Sequence, residues 1–315
     1  MATDFSYDEQ TEQWFAQETP FAGEVQQYWG GDWGVCSEVG ELKAVLLHRP
    51  GLEIERVTDP NQWRWLDVMD PARARQQHDA LAAAYRSHGA QVYYVEGTRI
   101  DRPNAMYMRD NVFMTPEGAI VARQAIAARR GEEQAVARTL ANLGVPIVRT
   151  ITGRGVFEGA CALWIDPETV VLGYGNRANQ EGQQQVAETL AHMGVKHILP
   201  FQIPFGHAHL DGLMAMADYD LALIFPWQVP HDVWRGLRER GIEVLEAPSV
   251  DEVKLGFAVN FVTLAPRKVL MMAGNPRTCE LLEKHGVEVH EIDISELKKG
   301  WGGLHCMTAF LKRID

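Results

Sequence analysis

The chain has 315 residues, 46% hydrophobic and 23% charged, and 42 acidic against 30 basic side chains give a net charge of −12. A chain of this length and apolar content buries a large core, which excludes a disordered protein, and its acidic balance makes a poor surface for nucleic acid or anionic lipid. No stretch approaches the ~20 consecutive apolar residues of a membrane span, the acidic start from Met1 to Gln10 does not read as a signal peptide, and four cysteines without paired CxxC spacing point to free thiols in a reducing, cytoplasmic setting.

The first forty residues are acidic and carry Trp14, Trp29 and Trp33 beside Gly30 and Gly31. They read as an N-terminal arm on a single catalytic body spanning 41–315. Such an arm docks on the body, covers a site, or joins a neighbouring copy in a homo-oligomer. From Leu42 onward a unit of roughly fifty residues recurs. A first, partial copy has a strand Leu42–Leu47, a helix near Ala72–His88, then Gly89 and a strand Gln91–Val95. The second opens on the double apolar run Asn111–Ala122, continues as a helix from about Gly131 and closes on Val145–Arg149. The third runs Cys161–Leu172, Gln180–His192 and Val195–Leu199. The fourth runs Leu213–Ile224, His231–Arg240 and Ile242–Leu245. The fifth runs Asn260–Met271, Pro276–His285 and Val287–Glu291.

In each full copy a short turn such as Pro116-Glu-Gly118 or Asp166-Pro-Glu168 separates two strands, which is hairpin chemistry. Each helix closes at a glycine (Gly144, Gly194, Gly241, Gly286), as helix C-caps do. A last strand around Leu304–Leu311 has no helix of its own and completes the first copy. The architecture expected is therefore α/β: a five-bladed propeller of ββαβ-like units around a central cavity. An open α/β sheet is the simpler competitor.

Polar residues gather where the units begin. Asp110 precedes the second copy, Glu158 the third, and His209 with Asp211 the fourth; Cys306 lies on the closing strand. Two carboxylates, Asp110 and Asp211, suit a planar guanidinium with several N–H donors. A Cys306 thiolate can attack its central carbon and form an S-amidino adduct. His209, oriented by Glu158, can protonate the leaving amine and then deprotonate the incoming nucleophile. Water gives a ureido product; an amine gives amidino transfer. This chemistry calls for no cofactor and no metal, and its partner is a small guanidino molecule.

These residues resemble a known family. Met108-Arg-Asp110, Phe157-Glu-Gly-Ala160, Gly173-x-x-x-Arg-x-Asn179, His209-Leu-Asp211 and Gly302-Gly-Leu-His-Cys-Met-Thr308 are similar to motifs of the guanidino-group-modifying superfamily. That superfamily includes arginine deiminases, dimethylarginine dimethylaminohydrolases and amidinotransferases, which share the pentein fold. The resemblance runs from about Glu41 to the C-terminus. It implies Cys306 as nucleophile, His209 and Glu158 as the acid–base pair, and Asp110 and Asp211 as guanidinium ligands. Hydrolysis of a C–N bond is the first activity implied, amidino transfer the alternative. One departure stands out: the family commonly reads Glu-Gly-Gly-Asp or Glu-Gly-Ala-Asp where this chain has Glu158-Gly-Ala-Cys161. Cys161 either packs against a differently shaped substrate or is a small buried hydrophobe facing away.

Other patterns compete. Gly173-Tyr-Gly-Asn-Arg-Ala178 matches a dinucleotide fingerprint, but no acid ends the following strand, so a tight turn carrying Arg177 is the better reading. Arg177 then binds a substrate carboxylate or serves as an ion-pair partner. His207-Ala-His209-Leu-Asp211 would present one face of a strand to a zinc ion. His305, beside Cys306, cannot point the same way as Cys306 on a strand and is assigned to packing or to supporting a site residue from behind. Cys36 and Cys279 read as ordinary thiols. A non-catalytic pentein, like the ribosome anti-association factors, fits poorly with a complete Cys, His and Glu set.

Overall fold

The computed structural model describes residues 18–315; Trp14, assigned to the arm, lies outside them. Its strands form five three-stranded sheets. The chain first lays down β1 (Glu41–Leu47) and β2 (Gln91–Tyr94), then the second blade, β3 (Val112–Thr115), β4 (Gly118–Val121) and β5 (Ile147–Thr150). The third blade is β6 (Ala162–Asp166), β7 (Thr169–Tyr174) and β8 (His197–Gln202), and the fourth is β9 (Met214–Asp218), β10 (Leu221–Ile224) and β11 (Glu243–Glu246). The fifth blade is β12 (Val262–Ala265), β13 (Lys268–Met272) and β14 (Glu288–Ile292), followed by the last strand, β15 (Ala309–Ile314).

Blades two to five repeat one pattern: an inner strand runs antiparallel to the middle strand, which runs parallel to an outer strand returned by a helix. In the first blade β1 is the middle strand. It pairs parallel with β2 (Val45 opposite Val92) and antiparallel with β15 (Val45 opposite Phe310). The C-terminal strand thus fills the inner place of the first blade, and the ring closes as the repeat predicts.

The patterning explains these elements. Middle strands such as β4 and β10 are buried along their whole length, so they read as continuous apolar runs rather than alternating ones. The helix Pro71–Ser87 starts where Asp70 accepts from the backbone N–H groups of Ala72 and Arg73, and Asn179 caps the helix Gln180–His192 through Gly182. The helices leave through Gly144, Gly194, Gly241 and Gly286, each at positive φ. Inner strands touch across blades. Phe113 of β3 stacks on Trp164 of β6 at 5.6 Å, and Thr263 of β12 donates to the Met216 carbonyl of β9 at 2.6 Å.

Three local features differ from the sequence reading. The expected strand from Leu304 is instead a helical turn, Leu304–Met307, before β15. The Asn260 side chain accepts from the backbone N–H groups of His305 and Cys306 at 3.0 and 3.3 Å, so a partner from another blade holds the turn. Short helices also form at Phe21–Trp29 and Val250–Gly256, the latter capped by Ser249. Finally, the packed body begins before residue 41. Gly34 donates to Leu311 and Val35 to Thr115, while Ser37, Glu38 and Val39 are buried. Among the described residues no helix is long and apolar enough to cross a membrane.

Candidate active site

Each inner strand is entered from a turn, and the turns converge. Asp110 lies in the turn Met108–Asn111 before β3, and Glu158 directly precedes the turn Gly159–Cys161 before β6. His209 and Asp211 flank the start of the turn Leu210–Gly212 before β9, Asn260 stands just ahead of β12, and Cys306 sits in the turn before β15. All five blades therefore contribute a polar or nucleophilic residue at the same structural position. A cavity of about 760 Å³ opens there, and Asp110, His209, Arg177 and Cys306 line it.

The His209 imidazole is held from two sides. Its Nε2 lies 2.7 Å from Glu158 Oε2 and its Nδ1 lies 3.6 Å from Asp110 Oδ1. Burial opposes charge on the ring, but the Asp110 and Glu158 carboxylates outweigh it and raise its pKa above the usual histidine value. Glu158 is fully buried; burial works against its charge, and the hydrogen bond to His209 with the Arg177 guanidinium pulls its pKa down. It also accepts from the Ala125 backbone N–H at 3.0 Å. Asp110 is ion-paired with Arg129 through Oδ2, while its Oδ1 is buried with no hydrogen-bond donor among the described residues. A buried, unsatisfied carboxylate oxygen on a cavity wall is a ready acceptor for a ligand N–H.

The thiol has its own cradle. Asn260 Nδ2 lies 3.1 Å from Cys306 Sγ and 2.9 Å from the Asp211 carbonyl. A Cβ on Gly302 would overlap the Tyr107 ring, and one on Gly303 would overlap the Asn260 side chain, so the glycines of the Gly302-Gly-Leu-His-Cys306 run let the turn seat closely. Burial pushes the Cys306 pKa well above its ordinary value, and the negative charges of Asp211 and Asp110 push the same way. This environment favours the neutral thiol on Cys306.

Behind the thiol runs a buried ionic chain. Asp211 Oδ2 lies 3.0 Å from His305 Nδ1, His305 Nε2 lies 3.1 Å from Glu38 Oε2, and Glu38 Oε1 accepts from Arg109 at 2.9 Å. His305 takes the supporting role of its two readings: leaving the strand for a helical turn lets it reach Asp211 while Cys306 faces the cavity. Burial disfavours charge on Asp211 and Glu38, yet His305 beside Asp211, and Arg109 with His305 beside Glu38, bring each carboxyl down to about 2.

For Cys161 and Arg177 the geometry matches one of the two alternatives each carried. Asp211 does not line the large cavity; its carboxylate is engaged by His305 and faces the thiol. Arg177 lines the cavity, but its Nη1 lies 3.2 Å from Glu158 Oε1, so its guanidinium already has an acid, and the Gly175-to-Ala178 backbone bond confirms the tight turn that carries it. Cys161 is fully buried and does not line the cavity, although the charges of Glu158, Asp110 and Asp211 act on its thiol together with burial. The zinc face fails because no strand carries it: β8 ends at Gln202 and His207 packs edge-on against Phe225. The acids and imidazole that do come within 4.8 Å of one another are Asp110, Glu158 and His209. Of the arm, none of the described residues 18–40 lines the cavity. The four cysteines are unpaired.

Sequence reasoning missed Asn260, Glu38 and Arg129. Asn260 was legible: it holds in the fifth copy the place that Asp110, Glu158 and Asp211 hold in theirs. Glu38 and Arg129 carry no such signal.

Residues 64–313 match the family described as N,N dimethylarginine dimethylhydrolase, eukaryotic. Arginine deiminase of Limosilactobacillus reuteri (strain DSM 20016) is 24% identical over 403 aligned positions, covering 89% of this chain and 98% of that protein. DDAH from Pseudomonas aeruginosa, solved as a mutant complexed with citrulline, shares the fold with a TM-score of 0.71 at 22% identity, over 86% of this chain and 99% of that one. SxtG, an amidinotransferase from Microseira wollei, does so with a TM-score of 0.73 at 16% identity, over 89% and 97%. The fold is that of the penteins. A thiol, an imidazole and a carboxylate line one cavity of this ring, and with the family match the protein is a guanidino-group-modifying enzyme. The chain belongs to the N,N dimethylarginine dimethylhydrolase family, within the cysteine-dependent guanidino-group-modifying superfamily.

Proposed function

We propose that the protein hydrolyses a C–N bond of an arginine-like guanidino compound through an S-amidino adduct on Cys306. The observation that carries this reading is the shared cavity wall of Cys306, His209 and Asp110, with His209 bonded to Glu158 at 2.7 Å. The guanidinium approaches the free Oδ1 of Asp110, and its positive charge stabilises the thiolate, so the S–H bond breaks and the proton passes to solvent water. The Cys306 sulfur then bonds to the guanidino carbon. His209, protonated, donates to the departing nitrogen as the C–N bond breaks, and an amine or ammonia leaves. Neutral His209 next takes a proton from water, the water oxygen bonds to the amidino carbon, and the S–C bond breaks to release a ureido product. Asp211 supports the charge at the sulfur end, and Glu158 with Arg177 orients the imidazole. Cys161 contributes packing.

Amidino transfer shares the first half-reaction. The breadth of the cavity favours keeping it as the second reading, because an acceptor amine can enter where water does. Incubation with a panel of guanidino compounds, acid quench and mass spectrometry tests both. The expected result is an increment on Cys306 equal to the substrate less the departing amine or ammonia, and ureido product in water alone. Product formation only with an added amine favours transfer. Turnover without any adduct, retained by Cys306→Ala, rejects the thiol mechanism.

A further inference from the structure

We propose that the outer part of the cavity is a binding subsite for a flat apolar or aromatic group that the substrate carries several bonds from its guanidino carbon. The inference rests on the guanidino reading above and names the substrate class for that site.

The first observation is size. The guanidino chemistry occupies only the floor, near Asp110, His209 and Cys306, yet the cavity measures about 760 Å³, within the range that encloses drug-sized ligands. The second is the rim. Phe205, Trp301 and Trp63 line the same cavity, and Phe205 and Trp301 leave their rings in solvent, Trp301 at 61% exposure and Phe205 fully. Exposed aromatics clustered at the mouth of a cleft mark a place where apolar ligand surface is buried. The third is backbone conformation. Trp301 lies at φ +68°, in the left-handed region where a bulky side chain is uncommon. Glycine or asparagine would sit there without that cost, so the indole is held at the mouth against local preference.

The fourth concerns charge. Arg129 and Arg177, the arginines deep in the cavity, already face Asp110, Glu132 and Glu158. The deep site is therefore poorly furnished for a second anion close to the guanidino group, and the remaining lining sets the aromatic rings of Trp63, Phe205 and Trp301 beside Arg64, Asn61 and Asn176. The rim is also tied to the chemistry. Trp301 lies on the loop leading to Cys306 and Phe205 on the loop leading to His209, so contact with a distal group bears on both loops.

The test compares N-acetylagmatine with N-benzoylagmatine, which present the same guanidino end and differ in a methyl against a phenyl group. The expected kcat/KM ratio favours the benzoyl compound by about tenfold or more. The doubly substituted Phe205→Ala, Trp301→Asn protein should bring the ratio to within about twofold of unity, asparagine being chosen because it tolerates positive φ. Turnover of both compounds at equal efficiency by the native protein overturns the subsite and leaves the guanidino reading standing. Absence of a Cys306 adduct with either compound, or with the wider panel, overturns that reading and the subsite with it. A ratio near one, together with loss of a dimer in sedimentation when the two aromatics are replaced, identifies the rim as a contact between copies and also overturns the subsite.

Discussion

The His305 Nδ1 atom lies 3.0 Å from Asp211 Oδ2, and its other ring nitrogen lies 3.1 Å from Glu38 Oε2. Ionised carboxylates only accept, so both ring nitrogens donate and the imidazole is a buried cation one residue from the nucleophile. Burial opposes that charge, and the hydrogen bonds to Asp211 and Glu38 overcome it, raising the pKa above the usual 6.5.

His305→Gln is expected to lower the unfolding free energy by about 3–5 kcal/mol, because it leaves buried carboxylates short of their partner. The native pKa of His305 is raised, so the folded state holds its proton where the unfolded chain has released it. The stabilisation is complete below pH ~6.5 and is lost as the pH rises through the native value. Urea unfolding of both proteins at acidic and alkaline pH measures this. A stability difference that grows with pH would contradict a buried imidazolium.

The environment of Cys306 favours the neutral thiol, since burial, Asp211 and Asp110 raise its pKa well above 9.0. Alkylation of Cys306 by iodoacetamide, followed by peptide mass spectrometry, should accelerate only above pH 9.0 in the free enzyme. A guanidinium compound that cannot react should shift that midpoint downward. A free-enzyme midpoint near pH 7 is incompatible with the environment described. Cys306→Ala should reduce turnover by on the order of 10⁴-fold or more.

His209→Ala should lower kcat by on the order of 10²–10⁴-fold. Attack requires one proton fewer than the resting thiol–imidazolium pair holds. The kcat/KM profile should therefore rise as the first proton leaves and fall as the second does, with both limbs belonging to the pair. Glu158→Gln removes a carboxylate that raises the His209 pKa, so the ascending limb should move to lower pH. An unmoved limb would separate Glu158 from the imidazole.

Asn260→Ala removes the acceptor for two backbone N–H groups of the Cys306 turn and the donor that faces the sulfur. A loss of about 10²-fold in kcat is expected from misplacing the nucleophile, with KM changed much less. Steady-state kinetics and a thermal unfolding scan distinguish this from general destabilisation: a parallel collapse of both would assign Asn260 to stability alone.

The repeat was legible because each blade is a local object. Apolar runs broken by hairpin turns, helices closed by glycine and a stranded final strand together specify five ββαβ units and their closure, and Asp110, Glu158, His209, Asp211 and Cys306 stand out by recurring where units begin. Periodicity carries that information in consecutive residues. The closing segment misread as strand from Leu304 shows the limit, since its helical turn depends on a hydrogen-bond acceptor, Asn260, that arrives from another blade. The ion pairs are decided in the same way. Glu38 reaches His305 across 267 positions and His305 reaches Asp211 across 94, and nothing local marks them as partners. Sequence by itself determined the ring and marked Asp110, His209, Arg177 and Cys306, which line its cavity. Only the tertiary structure decided which acid meets which base, because that depends on burial and on distances of a few ångströms between turns of different blades.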